Sequence, residues 1–238
     1  MSGVREARVA AGWAALTAAS AVQCAPALAC HVAPLCDLLS LRRRLTVPGT
    51  VALTFDDGPH PEGTARVLSV LATHGASATF FLVGEQVRRR PALAAEIAAA
   101  GHTIGLHGET HRCELRLTPA QLADDRARGL ESIHAATGVT AVIHRPPYGA
   151  CSGPGIALAR RADLETILWS RWGRDWRATA TADSVIHDVT RKGPLKRDIV
   201  LLHDADHYGA PECWRATVGA LPRILELCAA QGVRPVAL

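Results

Sequence analysis

The chain has 238 residues, 48% hydrophobic and 20% charged, which excludes extended disorder and allows one substantial core. A formal charge of +4 comes with only 4% aromatic residues, and Arg42, Arg43 and Arg44 concentrate much of the excess in one short run. A nucleic-acid-binding face would spread basic residues along a surface and interleave them with stacking rings, so that class is excluded.

In chain order, residues 9–35 contain no Asp, Glu, Lys or Arg and follow Arg5 and Arg8, a pattern resembling an export signal with Ala27-Leu28-Ala29 as a cleavage tripeptide. The alternative is an Ala-rich helix packed on a cytoplasmic enzyme, and both readings stand. A permanent membrane span is not expected, because Leu, Ile, Val and Phe are sparse over the ~20 residues a bilayer needs. Residues 1–47 are thus an N-terminal extension and residues 48–238 the folded domain. The seven cysteines, Cys24, Cys30, Cys36, Cys113, Cys151, Cys213 and Cys228, form no C-x-x-C pair and read as small buried residues.

After Pro48-Gly49, short apolar runs alternate with amphipathic ones. Strands are predicted over 50–55, 78–83, 103–106, 141–145, 165–170, 198–203 and 233–236, about seven in all. Helices fall between them over 64–74, 91–100, 118–137 and 213–231, each stopped by a glycine, with shorter ones over 155–161 and 182–191. Thr118-Pro119-Ala120-Gln121 reads as a capping box with proline at the first helical position. Strands alternating with helices imply an α/β fold on a parallel sheet, open or closed. The polar residues mark its active end: Asp56, Asp57, His107, His111, Arg145, Tyr148, Asp175, Trp176 and His203 all lie at carboxyl ends of strands, where barrels and open sheets gather their chemistry.

Adjacent carboxylates at Asp56 and Asp57 would repel in a dry pocket unless a cation or shared proton relieved them, and a metal does so readily. The alternative is a solvated Asp-Gly turn. His107 and His111 are four residues apart, which puts both imidazoles on one face if the segment coils into a helical turn. Two histidines and one aspartate leave a coordination position open for water, as catalytic zinc sites do. Nitrogen and oxygen donors also suit cobalt, nickel or manganese.

Taken in order, Thr54-Phe55-Asp56-Asp57-Gly58-Pro59, His107 with His111, Arg145-Pro146-Pro147-Tyr148-Gly149, Asp175-Trp176 and Leu201-Leu202-His203 resemble the five motifs of the polysaccharide deacetylase family, the NodB-like domain of carbohydrate esterase family 4. The resemblance implies a distorted (β/α)7 barrel and a hydrolase that deacetylates saccharides. It implies that Asp57, His107 and His111 hold the metal, that Asp56 is the general base paired with Arg145, and that the backbone N–H of Tyr148 stabilises the oxyanion. His203 would be the general acid, and Leu201 and Trp176 would line the acetyl pocket; Asp175 and Trp172 are counted with them in the wider substrate pocket.

Two positions depart from the family pattern. Trp172 stands where the fourth motif normally begins with an aspartate that pairs with the acid histidine, leaving Asp175, Asp204 or Asp206 as candidate partners of His203. Gly108 stands where a hydroxyl residue normally follows the first histidine. Trp172 could stack on a sugar or an aromatic aglycone, or be a rim residue. The loop of Asp204, Asp206 and His207 reads as solvated rather than as a second metal site. Three functions follow: deacetylation of an N-acetylated sugar polymer or oligomer (or an O-acetylated xylan), deacetylation of a small N-acetylated metabolite or glycoside, or non-catalytic carbohydrate binding around a metal.

Overall fold

The computed structural model describes residue 17 and residues 20–238. The Arg5 and Arg8 end of the expected export signal lies outside them. Strand β1 (Thr50–Asp56) is central. On one side follow β2 (Thr79–Leu82), β3 (Thr103–Leu106), β4 (Ile143–His144) and β5 (Glu165–Thr166); on the other lie β7 (Ile199–His203) and then β6 (Arg171–Trp172). The last strand, β8 (Arg234–Pro235), pairs with the start of β1, and every ladder is parallel. This is a distorted (β/α) barrel. No ladder joins β5 to β6; at that end Arg42 bridges Ile167 and Arg44 bridges Asp198.

Strand β1 is buried along its whole length because both faces are covered. Its side chains alternate: Val51, Leu53 and Phe55 join the core beneath the helices, whereas Ala52 joins the core inside the barrel. Phe55 stacks on Phe80 at 5.1 Å between ring centroids, each burial contributing roughly 1.5–3 kcal/mol. The outer layer is formed by α1 (Ala33–Leu38), α2 (Gly63–Thr73), α3 (Gly84–Arg89), α4 (Pro91–Ala99), α5 (Pro119–Thr137), α6 (Gly153–Arg161), α7 (Ala182–Thr190) and α8 (Trp214–Ala230). The predicted capping box opens α5, and Gly138 closes it at φ 70°.

Three local expectations change. The run 165–170 is not one strand: it leaves the edge of β4 after Thr166, crosses with Ile167 and Leu168 buried, and rejoins the sheet beside β7 as β6, making eight strands. The run 141–145 shortens to two paired residues. Helix α3 was not foreseen, since six residues carry too little apolar periodicity to show; it is anchored by Gly84 N–H to the carbonyl of Gly108 and Glu85 N–H to that of Glu109, both at 2.9 Å. Within the N-terminal extension, Ala25–Cys30 forms a 3-10 turn, and Ala29 and Cys36 are fully buried in the inner core. None of the seven cysteines is paired, and Cys36, Cys151, Cys213 and Cys228 are buried. Among the described residues no helix is long and apolar enough to cross a membrane.

Candidate active site

The site is built on the inward-facing positions of β1. Thr54 and Asp56 lie two residues apart on one face of that strand, and the fully buried Arg145, just past β4, reaches both. Its Nη1 donates to Asp56 Oδ1 at 2.6 Å and to Thr54 Oγ1 at 2.8 Å, and its guanidinium lies 4.2 Å over the Phe81 ring. Burial works to neutralise Arg145, and the Asp56 charge opposes this. A charge-assisted bond in a dry interior thus holds one Asp56 oxygen and leaves Oδ2 facing the cavity.

Asp57 turns off the end of β1 with φ 77° and points away from its neighbour. Its Oδ1 lies 3.4 Å from His107 Nε2 and 3.3 Å from His111 Nε2. His107 Nδ1 donates to the carbonyl of Arg145 at 2.8 Å, which aims Nε2 at Asp57. One ligand atom from each of these residues lies within 4.8 Å of the others. Asp57 Oδ1 is buried and has no hydrogen-bond donor, so two imidazole nitrogens and one carboxylate oxygen converge on a point suited to a divalent cation. Burial would raise the Asp57 carboxyl, but the neighbouring His107 imidazole and the charges of His203 and His111 hold it down at about 2. Burial pushes His111 down to about 4. His107 is raised: burial opposes its charge, and Asp56 and Asp57 outweigh burial.

The segment between the two histidines is a loop, not the helical turn anticipated. Gly108 turns it at φ 84°, and a Cβ there would come 2.8 Å from the Thr110 carbonyl and 3.0 Å from Asp125 Oδ2. Asp125 on α5 gathers the loop, accepting from Glu109 N at 2.8 Å, Thr110 N at 3.2 Å and Thr110 Oγ1 at 2.6 Å. Beneath the loop the buried Glu109 pairs with Arg88 of α3, and with Arg128 at 3.6 Å.

Across the cavity, His203 at the end of β7 directs Nδ1 to Asp175 Oδ1 at 2.9 Å. The other Asp175 oxygen accepts from His203 N at 2.6 Å and Thr217 Oγ1 at 2.5 Å. Burial alone would lower His203; Asp175 reverses this and raises it to about 10. Asp175 follows β6, not the fifth strand. It is fully buried behind His203 and does not line the pocket as expected; Trp172, Trp176 and Leu201 do. Asp204 is also fully buried and accepts from Thr64 Oγ1, in contrast to the solvated loop anticipated, whereas Asp206 is only half-buried beside His60.

The polysaccharide deacetylase family model matches residues 44–167. The chain belongs to the polysaccharide deacetylase family. A peptidoglycan-N-acetylglucosamine deacetylase of Bacillus cereus is 35% identical over 187 residues, covering 77% of this chain and 84% of that relative. A chitooligosaccharide deacetylase of Bradyrhizobium is 37% identical over 174 residues, covering 70% and 77% respectively. Among solved structures, a peptidoglycan N-acetylglucosamine deacetylase bound to a hydroxamate superposes with a TM-score of 0.77 at 27% identity, over 83% of this chain and 90% of the other.

Within this family member, a cavity of about 400 Å³ is floored by Asp56, Asp57, His107 and Leu201 and walled by aromatic rings. Tyr208 was not anticipated: it stacks on His111 at 4.2 Å and 9°, its hydroxyl donating to Glu85 at 2.7 Å and accepting from Gln86 at 3.1 Å. Tyr148, at φ 62° and 61% exposed, meets the edge of His111 at 4.6 Å. Asp125, Thr217 and Tyr208 carry no motif of their own, and only contacts across the fold reveal them.

Proposed function

We propose that this chain is a divalent-metal-dependent deacetylase that hydrolyses the acetamide of an N-acetylated amino sugar. The observation that carries the reading is the convergence of Asp57, His107 and His111 between two proton-handling pairs, Arg145–Asp56 and Asp175–His203. Asp57 and the two histidines would hold the metal, with zinc the default for this donor set. A cation there supplies Lewis acidity, acidifying water and polarising a carbonyl oxygen.

The chain's own groups divide the proton work. Asp56, with Oδ1 occupied by Arg145, accepts the proton of the attacking water on Oδ2. Arg145 keeps that carboxylate ionised until then and fixes its direction. The Tyr148 backbone N–H donates to the developing oxyanion, a contribution of ~3 kcal/mol for one such donor. His203, held in one tautomer by Asp175, gives its Nε2 proton to the departing amine as the carbon–nitrogen bond breaks. Leu201 and Trp176 enclose the acetyl methyl group.

The relatives' recorded substrates, peptidoglycan and chitin oligomers, support the saccharide class. Non-catalytic binding would follow if His203 had no carboxylate partner; the Asp175 contact favours catalysis. Acetate release from N-acetylated glucosamine oligomers, assayed with chelator and then with zinc, cobalt, nickel or manganese restored, tests the reading. Chelator-resistant release, or none with any metal, sinks it.

A further inference from the structure

The chain has five tryptophans and two tyrosines. Three of those tryptophans and both tyrosines line the one cavity that holds Asp57 and His203, so a sparse aromatic supply is concentrated there. The N-terminal segment contributes as well, through Cys30 and His31. His31 meets the Trp172 ring edge-on at 5.9 Å, Trp172 meets Trp176 at 5.9 Å, and Trp176 meets His203 at 5.5 Å. On the other flank Tyr148 touches His111, and its neighbour Gly149 lies so near Cys30 that a Cβ on it would be 3.2 Å from Cys30 Cβ. The two flanks therefore meet through residues 30–31, and the rim closes on that side.

We infer that Cys30, His31 and Trp172 close this cavity into a cup that accepts a terminal N-acetylated sugar ring and excludes an interior one. The inference rests on the deacetylase reading for its substrate class. An interior unit of a polymer carries a neighbour on each side, so two chain arms must leave the site in different directions, which requires a groove open at both ends. A cup offers one exit. The volume, about 400 Å³, is at the low end of small-molecule sites, and aromatic walls suit the apolar face of a pyranose ring. The segment is firmly seated: Cys36 is fully buried, Arg160 donates to the Leu39 carbonyl at 2.7 Å, and Leu168 N donates to the Arg42 carbonyl at 2.7 Å. Trp172 is set between His31 and Trp176, with the Arg174 guanidinium 5.1 Å over its ring.

The test uses the full chain and two ligands, the dimer and the hexamer of β-1,4-linked N-acetylglucosamine. Tryptophan fluorescence titration reads binding without turnover, and tandem mass spectrometry maps which units lose acetate. The cup predicts dimer and hexamer dissociation constants within about threefold of each other, and acetate loss only at a chain end. Opening the rim by His31→Ala, an exposed position, or by Trp172→Ala should favour the hexamer by about tenfold over the dimer and admit interior units. A wild-type hexamer preference of about tenfold, interior deacetylation by the wild-type chain, no saccharide binding, or an unchanged length preference in both variants would overturn the inference. Absence of acetate release with the predicted binding pattern intact would sink the deacetylase reading and still support the cup.

Discussion

His203 Nδ1 lies 2.9 Å from Asp175 Oδ1, and the same carboxylate is fixed from behind by Thr217. His203 thus has a carboxylate partner although position 172 is a tryptophan. Asp175 raises His203 to about 10 against the lowering effect of burial. Asp175→Asn removes the raising charge, so the proton on His203 is lost at lower pH and the alkaline limb of the pH–rate profile moves down. A drop in kcat within the ~100–10,000-fold range of general acid catalysis should accompany it. In stability the pair contributes fully below the unfolded histidine value of 6.5 and loses its contribution as pH rises through about 10. An unmoved alkaline limb would remove Asp175 from this role.

Arg145→Ala strips the guanidinium bonded to Asp56 Oδ1 at 2.6 Å in the barrel interior. Breaking a buried pair costs about 3–5 kcal/mol, mostly through the charge left behind. Arg145→Ala combined with Asp56→Asn should recover part of that loss while remaining inactive. Denaturant unfolding of the two variants measures both.

Metal should stabilise the fold as well as activate it. Zinc added to chelated protein should raise the melting temperature and release a proton, because His107 carries a raised affinity for protons that the cation must displace. Asp57→Ala should abolish the thermal shift. A shift that survives in Asp57→Ala would place the cation elsewhere.

The loop that carries His111 depends on close approach. Gly108→Ala forces a side chain at φ 84° into the Thr110 carbonyl, costing about 1–3 kcal/mol, and Asp125→Ala frees the backbone of Glu109 and Thr110. Both should weaken zinc affinity by about 10–100-fold, the usual cost of losing an outer-shell support. Isothermal titration calorimetry checks this without reference to turnover.

Asp204 is fully buried, and burial lifts its carboxyl from 3.8 to about 7. A carboxyl whose folded value exceeds its unfolded one makes the fold lose stability as pH rises between those two values, with the full penalty above about 7. Asp204→Asn should therefore gain stability relative to wild type as pH is raised from 4 to 8, read as diverging denaturant midpoints. Parallel midpoints would show that Asp204 is ionised without cost.

The order of strands and helices, the α5 caps and the positions of Asp56, Asp57, His107, His111, Arg145 and His203 were legible in the sequence. Those features are local: periodicity, capping chemistry and motif spacing act over a few residues. What surrounds them is not local. Asp175 reaches His203 across 28 positions, Tyr208 reaches Glu85 across 123, and residues 30–31 meet Trp172 and Gly149 from the far end of the chain. The early end of the run 165–170 after β5, and the return of the chain to the sheet as β6 at Arg171–Trp172, follow from which neighbour each segment finds, β4 or β7. By itself the sequence determined the family and the candidate site residues, because these sit at strand ends within short motifs. Only the tertiary structure decided which groups orient them and how the pocket is bounded, because those contacts are made when barrel closure brings distant segments within a few ångströms.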